Sequence, residues 1–132
     1  MTLLDATPPK PPRKTGLYVL IAVVIVIISG AGYVVLRNFP EERAISRFLT
    51  MLEQGNYQEA YRLWQPSSTY TYADFLHDWG EHGDYGKIRS FKILGSRSKG
   101  AVTVIVTITV NGEPPRELLV DRKTKGLAFS PF

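Results

Sequence analysis

The chain has 132 residues, no cysteine and two histidines, so disulfides, thiolate chemistry and cysteine metal sites are excluded. His77 and His82 are too few for an all-protein zinc site without carboxylate help. The net charge of +4 divides into +2 on residues 1–16 and +2 on residues 37–132, too little to point to nucleic acid.

The first sixteen residues contain Pro8-Pro9-Lys10-Pro11-Pro12-Arg13-Lys14. Prolines at this density prevent a helix and favour extended polyproline geometry. The segment is expected to be a disordered spacer with a topogenic charge cluster. A ligand for a proline-recognising domain is the alternative.

From Leu17 to Leu36 no side chain is charged. Twenty residues at helical rise span roughly 30 Å, the thickness of a bilayer's hydrocarbon core. The β-branched run Val23-Val24-Ile25-Val26-Ile27-Ile28 does not argue for a strand there, because in lipid a single segment satisfies its own backbone only as a helix. Tyr18 and Tyr33 stand near the two ends, where amphipathic rings favour the interface. Residues 17–36 are therefore expected to be an uncleaved transmembrane helix, with the membrane lipid bilayer as its first partner. A cleaved signal peptide is the alternative, since Ser29-Gly30-Ala31 offers a small-x-small site. Lys10, Arg13 and Lys14 crowd the N-terminal flank, which favours a cytoplasmic N-terminus and a periplasmic or extracellular domain.

Residues 37–132 suffice for one core and not for two. Pro40 suits a helix start, Glu41 and Glu42 suit the dipole of its first turn, and Ile45, Phe48, Leu49 and Leu52 recur at helical spacing. Gly55 ends that helix. A second carries Tyr57, Ala60, Tyr61 and Trp64 and stops at Pro66. Thr71-Tyr72-Ala73-Asp74 reads as a capping box with Asp in place of Glu, and opens a short third helix bearing Tyr72, Phe75, Leu76 and Trp79.

From Lys87 the period becomes two. Strands are predicted over Ile88–Leu94, Ala101–Val110, Arg116–Asp121 and Leu127–Phe132, with turns at Lys99-Gly100, Asn111-Gly112 and Lys125-Gly126. In the second, Val102, Val104, Val106, Ile108 and Val110 face one way and Thr103, Thr107 and Thr109 the other. Helices followed by hairpins give an α+β class, with helices packed on a four-stranded antiparallel meander. The valine face should receive the helices; the threonine face is left for solvent or for a homodimer through the sheet.

The pattern Phe48-Leu49-x-x-Leu52-x-x-Gly55-Asn56-Tyr57-x-x-Ala60-Tyr61 resembles the opening helix pair of the nuclear-transport-factor-2-like, or cystatin-like, superfamily. Phe75…Gly86…Ile88 resembles its helix-to-strand entry, and Leu119-Val120-Asp121…Gly126-Leu127-Ala128-Phe129 its final hairpin. The likeness spans residues 41–132 and lacks a strand between the second and third helices. It implies a cystatin-like roll, a cone of sheet around helices with a pocket. Members include isomerases and dehydratases, and membrane-anchored bacterial types of unknown function.

Acid–base chemistry on such a fold needs a carboxylate or histidine in an apolar pocket. Asp74, His77 and Asp78 are the candidates, with His82, Asp84, Tyr70 and Tyr85 nearby and Trp64, Tyr72, Phe75 and Trp79 as pocket or core residues. Asp74 already has a capping task, and the rest fall in a glycine-rich polar turn. No catalytic residue, metal or cofactor is expected, and phosphate-loop and nucleophile-elbow motifs are absent from the sequence. Charge is uneven: residues 41–84 hold three basic and eight acidic side chains, while residues 87–125 hold nine basic and three acidic. Lys87, Arg89, Lys92, Arg97, Lys99, Arg122 and Lys123 are thus expected to form a basic face, either a solvated surface attracted to the acidic helical half or one for steering a partner or meeting anionic headgroups. A non-catalytic interaction module serving another membrane protein or complex fits these features; the alternative is a small-molecule binder or an isomerase- or dehydratase-like enzyme using the conical pocket that the resemblance implies.

Overall fold

A computed structural model describes residues 14–131. They divide into two compact units, one ending at Val35 and the other beginning at Leu36. The proline-rich segment through Arg13, and Phe132, lie outside the described residues.

The first unit is apolar helix. Helix α1 runs Thr15–Arg37, 23 residues, and buries no side chain. It is long and apolar enough to cross a membrane by length and composition. It begins two residues before the expected span of 17–36, because neither Thr15 nor Gly16 interrupts a helix at its first turn.

The second unit is α+β, in the order α2 (Phe39–Glu53), α3 (Tyr57–Trp64), α4 (Tyr72–Trp79), β1 (Phe91–Lys99), β2 (Thr103–Val110), β3 (Arg116–Asp121) and β4 (Leu127–Phe129). Helix α2 starts on Phe39-Pro40, where the missing proline N–H has no helical partner to lose. It ends in a Schellman motif: Gly55 N–H donates to Leu52 O at 3.0 Å and Asn56 N–H to Met51 O at 2.8 Å, with Gly55 at φ 75°. Asn56 then caps α3 through Glu59 N–H, and Gln65 leaves it in the left-handed region before Pro66. Helix α4 opens on the expected capping box, Thr71 Oγ1 accepting from Asp74 N–H at 3.2 Å and Asp74 Oδ2 from Thr71 N–H at 3.0 Å.

The strands pair as a meander, β1-β2-β3-β4, all antiparallel. The β2–β3 connection turns on Asn111 and Gly112, both at positive φ (53° and 71°), which matches the twist of a hairpin. Helix α2 packs on β1, β2 and β3; α3 packs on α2 and β4; α4 packs on α3. The layer between α2 and the sheet holds Ile45, Phe48, Leu49 and Leu52 from the helix and Val104, Val106, Ile108, Val110, Leu118, Val120 and Leu127 from the strands.

Three strand boundaries differ from expectation. The first strand runs Phe91–Lys99 rather than Ile88–Leu94. Ile88 is buried, but the backbone around it is held by a side chain: Asn111 Oδ1 accepts from Arg89 N–H at 2.8 Å and Ser90 N–H at 3.2 Å, and Asn111 Nδ2 donates to Lys87 O at 2.9 Å. The strand also bulges between Ile93 and Gly95 and continues through Arg97-Ser98-Lys99, since an edge strand tolerates polar residues. The second strand starts at Thr103, and Val102 is 66% exposed in the turn rather than on the core face. The last is short, Leu127–Phe129.

The threonine face also conceals one apolar residue. Ile105 is 3% exposed there, beside the Arg97–Glu117 ion pair that crosses β2 at 2.6 Å.

Candidate functional site

The resemblance implies a pocket at the aromatic end of the core. Phe48 lies 5.2 Å from Trp64, 6.1 Å from Phe75 and 5.1 Å from Trp79 between ring centroids. It fills the space these three rings would otherwise enclose. Trp64, Phe75 and Trp79 are buried, and Tyr72 is half-buried against Tyr61. Trp79 stacks on Tyr85 at 4.4 Å, and Phe129 lies parallel to it at 5.7 Å. These side chains form packed core, and their edge-to-face pairs add to the area they bury.

The acid–base candidates lie at its surface. Asp74 is exposed, and hydrogen bonds from Thr71 hold its carboxyl below the usual range. It is a capping carboxylate, ionised and facing water. Asp78 is half-buried; its Oδ2 accepts from Tyr70 Oη at 2.5 Å, and its Oδ1 lies 3.5 Å from Nδ1 of exposed His77. Burial, then the hydrogen bond to Asp78, pushes the Tyr70 phenol up, so Tyr70 stays a protonated donor. His77, Asp78 and Asp84 offer ligand atoms within 4.8 Å of one another, enough for three contacts to a small cation, but His77 and Asp84 are exposed. The constellation is a surface turn cluster with one anchored carboxylate.

Several basic residues of the sheet half have partners within the domain. Lys87 lies over the Tyr57 ring at 5.9 Å, Arg97 pairs with Glu117, and Arg116 covers Tyr85 at 4.7 Å. Arg89, Lys92, Lys99 and Lys123 are exposed.

Arg122 leads to a site that sequence reasoning missed. Its N–H donates to Val102 O at 2.9 Å, extending the β2–β3 ladder, so its side chain follows Leu118 and Val120 on the core face. There it meets the first turn of α2. Arg122 Nη2 donates to Asn38 Oδ1 at 2.8 Å and Ser98 Oγ at 2.7 Å; Nη1 lies 3.3 Å from Glu41 Oε1. Lys125 Nζ also lies 3.3 Å from Glu41 Oε1 and donates to Arg122 O. Ser98 Oγ donates to Asn38 Oδ1 at 3.3 Å, and Ser96 Oγ donates to Glu42. Glu41 is 2% exposed and Asn38 6%.

A buried carboxylate is tolerated only when paired, and here one oxygen serves two cations. Glu41 Oε2 and Arg122 Nε have no hydrogen-bond partner. The sequence did carry a signal. Asn38, Glu41, Ile45, Phe48 and Leu52 step by three and four along a single helical stripe, so the carboxylate belongs to the buried face rather than to the solvated first turn. Chemically the cluster is a directional clasp: it fixes the start of α2 against β1 and the β3–β4 turn.

No protein-family model matches the chain, and no curated protein or solved structure matches it.

Proposed function

We propose that the chain is a single-pass membrane protein whose α+β domain is a non-catalytic interaction module, an accessory or assembly subunit of a membrane or envelope protein complex. The N-terminus lies in the cytoplasm and the domain in the periplasm or outside the cell. The observation that carries this reading is α1: 23 residues, uncharged from Leu17 to Leu36, with no buried side chain. A helix apolar on every side has its free-energy minimum in lipid. Two features of the domain support it. Phe48 fills the centre of the aromatic core, and the acid–base candidates Asp74 and Asp78 are engaged in a cap and in the Tyr70 hydrogen bond. The chain also gives little reach, since Asn38 is all that separates α1 from α2. A domain so tethered meets neighbours in the membrane more readily than diffusing solutes. The meander over helices is in keeping with a membrane-anchored cystatin-like roll.

The test is purification of the full chain from native membranes in mild detergent after in-cell cross-linking. Reproducible co-purification of one membrane protein is expected. A monodisperse, partner-free chain would sink the module reading. Protease added to spheroplasts should digest the domain; full protection reverses the topology.

A further inference from the structure

The geometry points to a groove beside the start of α2 as a binding site for the phosphate headgroup of an anionic phospholipid, an inference that rests on the membrane-tether reading. The groove holds about 330 Å³, within the range of small-ligand sites. Its cationic side is Arg43, Arg47 and Lys125, and no carboxylate lines it. Its apolar side is Phe39, Pro40, Ala44 and Leu63.

Three observations select this ligand. First, Arg43 and Arg47 are one helical turn apart on α2, and no described carboxylate pairs with either. Most other arginines here are occupied: Arg62 by Glu59, Arg97 by Glu117, Arg116 by Tyr85, Arg122 by Glu41. Two adjacent guanidinium groups present the donor geometry that phosphate oxygens take. Lys125 adds a third cation, drawn to this position by Glu41, and Gln65 Nε2 fixes the turn that carries it by donating to Thr124 O at 2.5 Å. Second, apart from Gln65 the rest of the groove wall is apolar, and Phe39 is 51% exposed. Inorganic phosphate would gain nothing from that wall, whereas a glycerol backbone and the first methylenes of a lipid would cover it. Third, Phe39 follows the last residue of α1 by two positions. If α1 spans the bilayer, Phe39 of the groove lies within two residues of the point where the chain leaves the membrane, within reach of the headgroups. Aromatic rings favour that depth, and basic side chains there are attracted to anionic lipid.

The experiment uses the full chain in dodecyl maltoside micelles. Native mass spectrometry follows titration with palmitoyl-oleoyl phosphatidylglycerol, and with phosphatidylcholine of the same chains. Phosphatidylglycerol should bind at least tenfold more tightly. Arg43→Gln with Arg47→Gln should weaken it on the order of thirtyfold, since each basic side chain near an anionic surface is worth a factor of roughly five. Arg89→Gln with Lys123→Gln removes the same charge elsewhere and should change little. All four side chains are exposed, and an unchanged melting temperature would show that the fold is kept. Equal losses in the two double variants would overturn the site, as would equal binding of the two lipids. Displacement of phosphatidylglycerol by equimolar glycerol 3-phosphate would also overturn it, by making the ligand a soluble phosphate ester. Carbonate extraction of the chain from phosphatidylglycerol vesicles separates the two readings. Release overturns both the tether and the headgroup site; retention without lipid preference overturns the headgroup site alone.

Discussion

Along one stripe of α2, Phe48 meets Trp64, Phe75 and Trp79, while Glu41, two turns earlier, meets Arg122 and Lys125. Both residues are buried, on the same helix and over the same sheet. They are held by different physics. The aromatic end is cohesive without being strongly directional: its rings gain from removed area and from tilted or edge-on contacts. The polar end gains little net energy, because desolvating Glu41 and Arg122 offsets most of their attraction. What it supplies is direction, since the donors of Arg122 fit Asn38, Ser98 and Glu41 in one arrangement only. The contrast teaches that a helix can be glued at one end and aimed at the other, and that the aimed end is the one next to the apolar helix in the chain.

Truncating each end in turn breaks the comparison most sharply. Phe48→Ala should cost about 5 kcal/mol, the upper part of the range for a buried phenylalanine, because three ring contacts go with it. Glu41→Ala should cost about 3 kcal/mol by leaving half-buried Arg122 without its carboxylate. Thermal unfolding of the full chain in micelles measures both. The two diverge in their rescue. Phe48→Met should restore a good part of the lost stability because it refills volume. Glu41→Met should stay destabilised until Arg122→Leu is added, when most of the loss should return. A Glu41→Met variant as stable as the parent would show that the clasp carries no penalty when opened.

A smaller effect is expected at Asn111, a polar fastener between the segment before β1 and the β2–β3 turn. Asn111 combines a left-handed backbone with three side-chain hydrogen bonds to Lys87, Arg89 and Ser90. Asn111→Gly keeps the backbone and loses the hydrogen bonds. Asn111→Ala loses both and should be worse by about 1 kcal/mol, the cost of a left-handed conformation for a residue with a Cβ. Equal stabilities would mean that the turn's backbone is unstrained in both.

These differences also mark how far the sequence was legible. The helix starts and stops were legible because their signals are local: Pro40, Gly55, Pro66 and the Thr71–Asp74 box each act within a few residues. The valine strand was legible because Val104, Val106, Ile108 and Val110 alternate with threonines, with Ile105 the one break in the period. The start of β1 was not, since the side chain that holds Lys87–Ser90 out of the ladder comes from Asn111, more than twenty residues away. The clasp was missed for a related reason. Periodicity was followed through apolar residues only, and it continues through Asn38 and Glu41 on the helix and through Arg122 beyond β3. Charged residues on a buried phase read as surface until their partner is known, and that partner lies eighty-one residues away.

The smallest expected effect concerns acid, and it compares one carboxylate from each end. Asp74 lies at the aromatic end, held below its ordinary value of 3.8 first by the Thr71 backbone hydrogen bond. Asp121 lies beside Arg122, held below 3.8 first by the Thr124 backbone N–H and then by that of Lys123. Both are lowered in the folded state, so near pH 4 the unfolded chain binds more protons than the folded one. Their stabilisation is therefore complete above the unfolded value and is lost as pH falls through the folded values. Melting temperature should be flat with respect to these groups above about pH 5 and fall below about pH 4. Asp74→Asn and Asp121→Asn should each lower the melting temperature at pH 7 and flatten part of the acid slope. Because both carboxylates accept from backbone N–H groups in a turn, the two slopes should match, although their ends of the core differ. A much steeper acid loss at Asp121 would mean that its protonation loosens the turn that carries Arg122 and Lys125, which would tie the aimed end of α2, rather than the glued end, to pH.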